Sequence, residues 1–186
     1  MRQVLLSRIN ALLSHGGGAL VAIDGGSASG KSTLAAQLAE MHPCTVFHMD
    51  DFFLPPQLRT PERLGQPGGN VHWERFAREV LMPVSKGEAV RYRPFDCTIM
   101  DFGPEISVRS EELVIVEGSY SMHPELAGLY DLKVFLSISP EEQRRRALAR
   151  NGEGAGMFFE KWIPLENRYF DAFDIKGKSD VVIEIE

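Results

Sequence analysis

Residues 19–33 read ALVAIDGGSASGKST, and the rest of the chain is organised by this stretch. Ala19 to Asp24 is an apolar run of strand length. It passes straight into Gly25, Gly26, Ser27, Ala28, Ser29, Gly30, Lys31, Ser32 and Thr33, which fit the spacing G-x-x-x-x-G-K-[ST] in full. Glycines let the backbone fold round an anion so that successive N–H groups point inward. Lys31 is spaced to reach the β- and γ-phosphates of a nucleoside triphosphate, and the Ser32 hydroxyl to ligate Mg²⁺. Lys31 to Met41 has helical composition and Pro43 closes it, so the positive N-terminal end of a helix is aimed at the same anion. A strand before and a helix after are the context this motif requires; without them the glycines would read as a turn that binds nothing.

Further strands are expected at Thr45–Met49, Leu113–Val116, Leu132–Ile138 and Val181–Ile185, with short ones at Ala89–Phe95 and Ile106–Arg109. Helical patterns cover Met1–Ser14, Trp73–Val84, Pro140–Arg150 and Met157–Phe173. Apolar strands alternating with helices mean parallel pairing with both sheet faces covered. The expectation is an α/β fold, a three-layer α/β/α sandwich on a five-stranded parallel sheet, with its ligand beyond the carboxyl ends of the strands. All 186 residues are read as one domain. An insert at about 52–110 and a lid at about 140–157 interrupt the regular alternation. Within the insert, Phe52 to Asn70 holds Pro55, Pro56, Pro61 and Pro67 and reads as a long, functional loop.

The net charge of −6 argues against a nucleic-acid-binding surface, which needs clustered Lys and Arg. Apolar runs such as Leu113–Val116 are too short to span a bilayer. The amphipathic Met1–Leu13 lacks the uninterrupted apolar core of a signal peptide, and the two cysteines, Cys44 and Cys97, have no C-x-x-C spacing. A cytoplasmic chain with free thiols is the expectation. Whether it forms a homo-oligomer is left open by the sequence.

Acids stand at or just beyond the ends of three expected strands: Asp24, the pair Asp50 and Asp51, and Glu117. Carboxylates gathered beside a polyphosphate repel it unless a cation or a proton-transfer task justifies them. The simplest division gives Glu117 to Mg²⁺ and one of the Asp50–Asp51 pair to general-base work, with Asp24 capping a following turn. Arg144, Arg145, Arg146 and Arg150 share one expected helix, followed by Gly152, Gly154 and Gly156. Beside a phosphate loop, such a helix fits a closing lid that brings cations to a transferring phosphoryl group; elsewhere it would be a solvated face.

Gly25–Thr33, His48–Phe53 (HMDDFF), Asn70–Phe76 (NVHWERF), Leu113–Gly118 (LVIVEG), Tyr130–Leu136 (YDLKVFL) and the arginine helix together resemble the uridine kinase branch of the P-loop nucleoside and metabolite kinases. Nicotinamide riboside kinase and pantothenate kinase belong to the same branch. The resemblance implies a kinase that uses ATP and Mg²⁺ to phosphorylate a hydroxyl of a small molecule, a nucleoside such as uridine or cytidine first among the candidates. It places the catalytic acid on Asp50, the magnesium-associated acid on Glu117, and the lid cations on Arg146 and Arg150. It also implies acceptor contacts at Phe53, His72, Tyr92, Phe95 and Asp96. The sequence departs from the branch at several of these. His72 stands where an acid usually grips the ribose, Phe53 where Tyr is common, and the His and Arg that usually follow the aromatic-Asp stretch are missing after Phe95-Asp96. Nicotinamide riboside, pantothenate or another metabolite is the alternative acceptor. A non-catalytic ATP-binding switch, which would use the Phe52–Asn70 loop to sense the γ-phosphate, is a different alternative.

Overall fold

The computed structural model describes residues 2–186. Five strands form the central sheet: β1 (Ala19–Gly25), β2 (Cys44–His48), β7 (Leu113–Glu117), β8 (Leu132–Ile138) and β9 (Val181–Ile185). Their order is β2-β7-β1-β8-β9, and every pairing is parallel. β1 and β7 are buried along their whole length, which is why both read as unbroken apolar runs rather than as an alternating pattern.

Side chains still alternate between faces with period two. Val21 and Ile23 point to one side, where Leu5 and Ile9 of the N-terminal helix (Arg2–Ser14) and Leu34 and Leu38 of the phosphate-loop helix (Lys31–Met41) cover them. Leu20 and Ala22 point to the other, against Phe76, Val80 and Leu81 of a helix over residues 73–85 and Tyr169 of the closing helix (Ile163–Phe173). These are the three layers expected. The helix expected from Met1 is described from Arg2 onward; Met1 lies outside the described residues.

The insert is more ordered than a loop. Short helical turns at Met49–Phe52, Pro56–Leu58 and Pro61–Leu64 break up the Pro-rich stretch. Beyond the 73–85 helix, β3 (Val90–Tyr92) pairs antiparallel with β6 (Ile106–Val108), and β4 (Phe95–Asp96) with β5 (Asp101–Phe102). The segment expected to be a lid is a helical hairpin: a helix over Pro140–Asn151, called the lid helix below, a turn at Gly152–Ala155, and a wide turn at Phe158–Trp162 that runs into the closing helix. Cys44 and Cys97 are free thiols. Among the described residues no helix is long and apolar enough to cross a membrane.

Candidate active site

Sheet register assembles the site. Ile23 of β1 lies level with Glu117 of β7, and Glu117 with His48 of β2. The segments that follow, Asp24–Gly25, Met49–Asp51 and Gly118–Tyr120, therefore leave the sheet at one edge. At Gly25, with φ +146°, an added Cβ would meet the Leu136 carbonyl oxygen at 2.5 Å. At Gly118, with φ +142°, it would meet the Met49 Cβ at 2.7 Å. Only glycine allows these two chain reversals to lie side by side.

A cavity of about 270 Å³ opens at this edge. Ser27, Ala28, Lys31 and Ser32 of the phosphate loop line it, together with Asp50, Phe53, Glu117 and Arg150. Lys31 Nζ donates to the carbonyls of Gly25 and Gly26 at 2.9 and 3.0 Å, folded back over the loop it serves. Ala28 and Tyr120, both at the cavity, hold positive φ angles of 63° and 74°, a conformation kept by few non-glycine residues outside functional sites.

The acids have separate surroundings. Asp24 is completely buried and accepts from the amides of Gly25, Tyr120 and Met122 and from the Tyr169 hydroxyl. Burial raises its carboxyl to about 6 in spite of those donors. Its work is to tie β1, the turn after β7 and the closing helix together. Glu117 accepts from Ser32 Oγ at 3.0 Å and lies 2.6 Å from His48 Nδ1. Burial pushes the Glu117 carboxyl up, but His48, Lys31 and Ser32 outweigh it and hold it below the usual range. The same contact with Glu117 raises the His48 imidazole. Asp50 presents an open edge to the cavity and has no hydrogen-bond partner for its carboxylate among the described residues. Protein crowds its other sides. That desolvation raises its carboxyl against the pull of Lys31, and Glu117 and Glu166 add to the rise. Asp51 turns away and accepts from the Tyr92 hydroxyl at 2.9 Å.

Several expected site residues are not brought into this cavity. Arg146 and Thr33 face a separate cavity of about 310 Å³, bounded by Gly30, Leu136 and the end of β9, and Arg146 pairs there with Glu142. Tyr92 packs its ring on Phe52, at 5.1 Å between centroids, inside the insert's own core. Phe95 is buried against Phe102, and Asp96 is exposed and caps Thr98. His72 accepts from the Arg75 amide and so caps the 73–85 helix. An aromatic cavity of about 460 Å³ lies instead between the Pro-rich loop and the closing helix, with Phe53, Leu64, Asn70, Trp162, Leu165 and Arg168 on its walls. It adjoins the phosphate cavity through Phe53 and Trp162, whose ring centroids are 5.7 Å apart.

The sequence reading missed Cys97, Ser119, Tyr120, Phe158, Trp162 and Glu166 on the cavity walls and His48 beside Glu117. Glu166 is 4% exposed and accepts from the Ser27 amide, the Ser27 hydroxyl and the Ser119 hydroxyl. The signal available for it was an acid on the stripe Trp162, Glu166, Tyr169, Phe173, whose spacing is that of a buried helix face.

The oxygens of Ser32 and Glu117, side by side at the cavity wall, form a hard donor pair that suits Mg²⁺. Among the described residues no group of three or more His, Cys, Asp or Glu is placed to hold a metal. Few protein ligands are what a magnesium site completed by substrate phosphates needs.

No protein-family profile matches the chain. It is 25% identical to a uridine kinase of Brevibacillus brevis over 146 residues, which cover 74% of this chain and 68% of that protein. Among solved structures it superposes on one described as a possible uridine kinase from Bacillus stearothermophilus, with a TM-score of 0.68, 20% identity, and 96% and 98% of the two chains covered. It also superposes on a candidate fructose transport system kinase from Silicibacter sp. TM1040, with a TM-score of 0.66, 25% identity, and 97% and 96% covered. The fold is that of the P-loop kinases, and the motif resemblance to the uridine kinase-like branch is met again in these relatives.

Proposed function

We propose that the chain is a small-molecule kinase that transfers the γ-phosphate of ATP to a hydroxyl, with a nucleoside as the acceptor class. One observation carries this reading. An accessible, unpartnered carboxylate, Asp50, shares one small cavity with the phosphate-loop lysine and the lid's Arg150. The uridine kinase relative supports the nucleoside class.

The triphosphate lies along Gly25–Thr33, on the loop amides and the start of the helix that follows. The cavity behind Gly30 and Thr33, with Arg146 and the apolar Leu136 and Ile183, takes the base of the nucleotide. Lys31 leaves the Gly25 and Gly26 carbonyls for the phosphate oxygens, exchanging neutral acceptors for charged ones. Ser32 and Glu117 would hold Mg²⁺, which would supply charge neutralisation to the phosphates. The acceptor enters through the aromatic cavity, its flat part between Phe53 and Trp162 and its hydroxyl toward Asp50. Asp50 accepts the hydroxyl proton as the oxygen attacks the γ-phosphorus. The bond to the leaving ADP oxygen breaks, and Arg150 stabilises the equatorial oxygens. Most of the rate gain is positional and electrostatic.

The test is a panel of hydroxyl compounds, nucleosides included, incubated with Mg·ATP and read by mass spectrometry for an added phosphate. A phosphorylated nucleoside made by the wild type and lost in Asp50→Asn supports the assignment. A phosphorylated acceptor of another class overturns the nucleoside reading. ATP consumption that no compound in the panel changes overturns the kinase reading.

A further inference from the structure

Within the phosphate loop, Ser27 is held at its amide, hydroxyl and carbonyl by groups outside the loop. Its amide donates to Glu166 Oε2 at 2.8 Å and its hydroxyl to Glu166 Oε1 at 2.6 Å. Its carbonyl accepts from Gln143 Nε2 at 3.0 Å. Both partners are buried, Gln143 at 7% exposure and Glu166 at 4%. A Cβ added at Gly26 would lie 2.7 Å from Gln143 Nε2, so the loop and that side chain are packed against each other.

The two partners sit at the two feet of the lid. Gln143 is in the first turn of the lid helix, and Glu166 in the first turn of the closing helix. Between them the chain runs out through Arg150 and back through Phe158 and Trp162, all of which reach the phosphate cavity. Within this hairpin Arg144 lies over Phe159 at 4.5 Å and Arg150 over Phe158 at 5.3 Å, so its two limbs are packed against each other. Gly152, Gly154 and Gly156 have open space where a side chain would stand, while Ala155 between them is buried. One turn beyond Glu166, Tyr169 donates to Asp24 at 2.9 Å and pins the closing helix to the strand that feeds the loop. The lid is therefore fixed to the molecule at the loop that would receive the nucleotide.

From this we infer that Gln143 and Glu166 are positioning residues that make the lid respond to occupancy of the phosphate loop, acting on the reaction through Arg150. The inference rests on the kinase reading above. A triphosphate entering the loop shifts the Ser27 peptide and adds negative charge beside the Glu166 carboxylate. Both disturbances pass to the feet of the lid through short hydrogen bonds rather than through solvent.

The test reads hydrogen exchange of lid amides 150–158 by mass spectrometry, with and without Mg·AMP-PNP, beside calorimetric affinity for the same nucleotide. Wild type, Glu166→Gln and Gln143→Leu are compared. In the wild type AMP-PNP should slow lid exchange by about tenfold or more. Each variant, held at AMP-PNP concentrations that saturate its own binding curve, should lose most of that slowing. Full slowing in the variants overturns the inference. So does slowing that returns once the variant is saturated with nucleotide, because the pair would then only build the loop. AMP-PNP bound by the wild type with no effect on the lid overturns it and leaves the kinase reading standing. No binding to the wild type removes both. If Glu166→Gln melts far below wild type, Gln143→Leu alone carries the decision.

Discussion

Asp24→Asn is the substitution whose cost follows most directly from the structure. The carboxylate accepts four donors: the Gly25 amide at 2.7 Å and the Tyr120 amide at 3.2 Å on Oδ1, and the Met122 amide and the Tyr169 hydroxyl, both at 2.9 Å, on Oδ2. An asparagine oxygen can keep the first two. Its NH₂ then replaces Oδ2 and faces two donors. The Tyr169 hydroxyl can rotate and accept instead, but the Met122 amide cannot, and it is left buried without a partner. One such orphan costs about 2 kcal/mol. Asparagine is also spared the desolvation that raises the charged Asp24 to about 6, an offset of similar size, so at pH 8 the melting temperature should move by less than the roughly 4–8 °C that the orphan alone would give a domain of this length. The measurement is a thermal melt by circular dichroism at pH 8, well above the Asp24 value of about 6, where the wild-type carboxylate is charged. Tyr169→Phe in the same assay should cost about 1.5–3 kcal/mol, the value of a hydrogen bond to a charged group. A Tyr169→Phe protein as stable as wild type would refute the reasoning, since Asp24 would then not be the acceptor that joins the closing helix to loop and sheet.

Asp50→Asn should bind AMP-PNP normally in calorimetry and lose about 10²–10⁴ in phosphotransfer rate, the range for a general base; unchanged turnover would remove Asp50 from the chemistry. Because Asp50 acts deprotonated and its surroundings raise it, activity should fall on the acid side at a pH above the ordinary aspartate value. A pH–rate profile whose acid limb lies at or below that value would contradict the assignment. Lys31→Ala should weaken Mg·AMP-PNP binding by tenfold or more, on the order of the 1.5–3 kcal/mol of a charged hydrogen bond, as read by calorimetry. Trp162→Ala should raise the KM of the acceptor found in the panel by about tenfold or more, one aromatic contact's worth, and move the KM for ATP much less. Equal effects on both would place Trp162 on the nucleotide side.

What could be read from the sequence is what is encoded locally. The phosphate loop needs nine consecutive residues, Gly25 to Thr33, and the central strands β1 and β7 are apolar because both their faces are covered. That the segments carrying Asp50 and Glu117 leave at the edge that bears the phosphate loop was legible, because parallel strands deliver their ends to one edge. The acceptor side was not. Tyr92 and Phe95 have the composition of ligand-binding aromatics, yet they fill the core of the insert, a role that only its folding against the 73–85 helix assigns. His72 likewise serves its own helix. Trp162 and Glu166 come to the site from more than a hundred residues downstream of the loop, through packing that no motif spacing records.

Three carboxylates crowd the cavity that would receive a triphosphate, and their surroundings explain how that can be tolerated. Glu166 is spent on three donors from Ser27 and Ser119, and Glu117 on Ser32 and His48. An acid so engaged holds its charge in hydrogen bonds, and Glu117 is in addition placed to share a cation with the nucleotide. Asp50 has neither arrangement among the described residues, and of the three it alone keeps an open edge. A free carboxylate raised by its neighbours is a poor structural element and a suitable base: desolvation and the two nearby acids favour its taking up a proton, while Lys31 keeps it from holding one permanently. The same crowding that makes the cavity unfavourable for anions therefore distinguishes which of its acids is left to act on the acceptor.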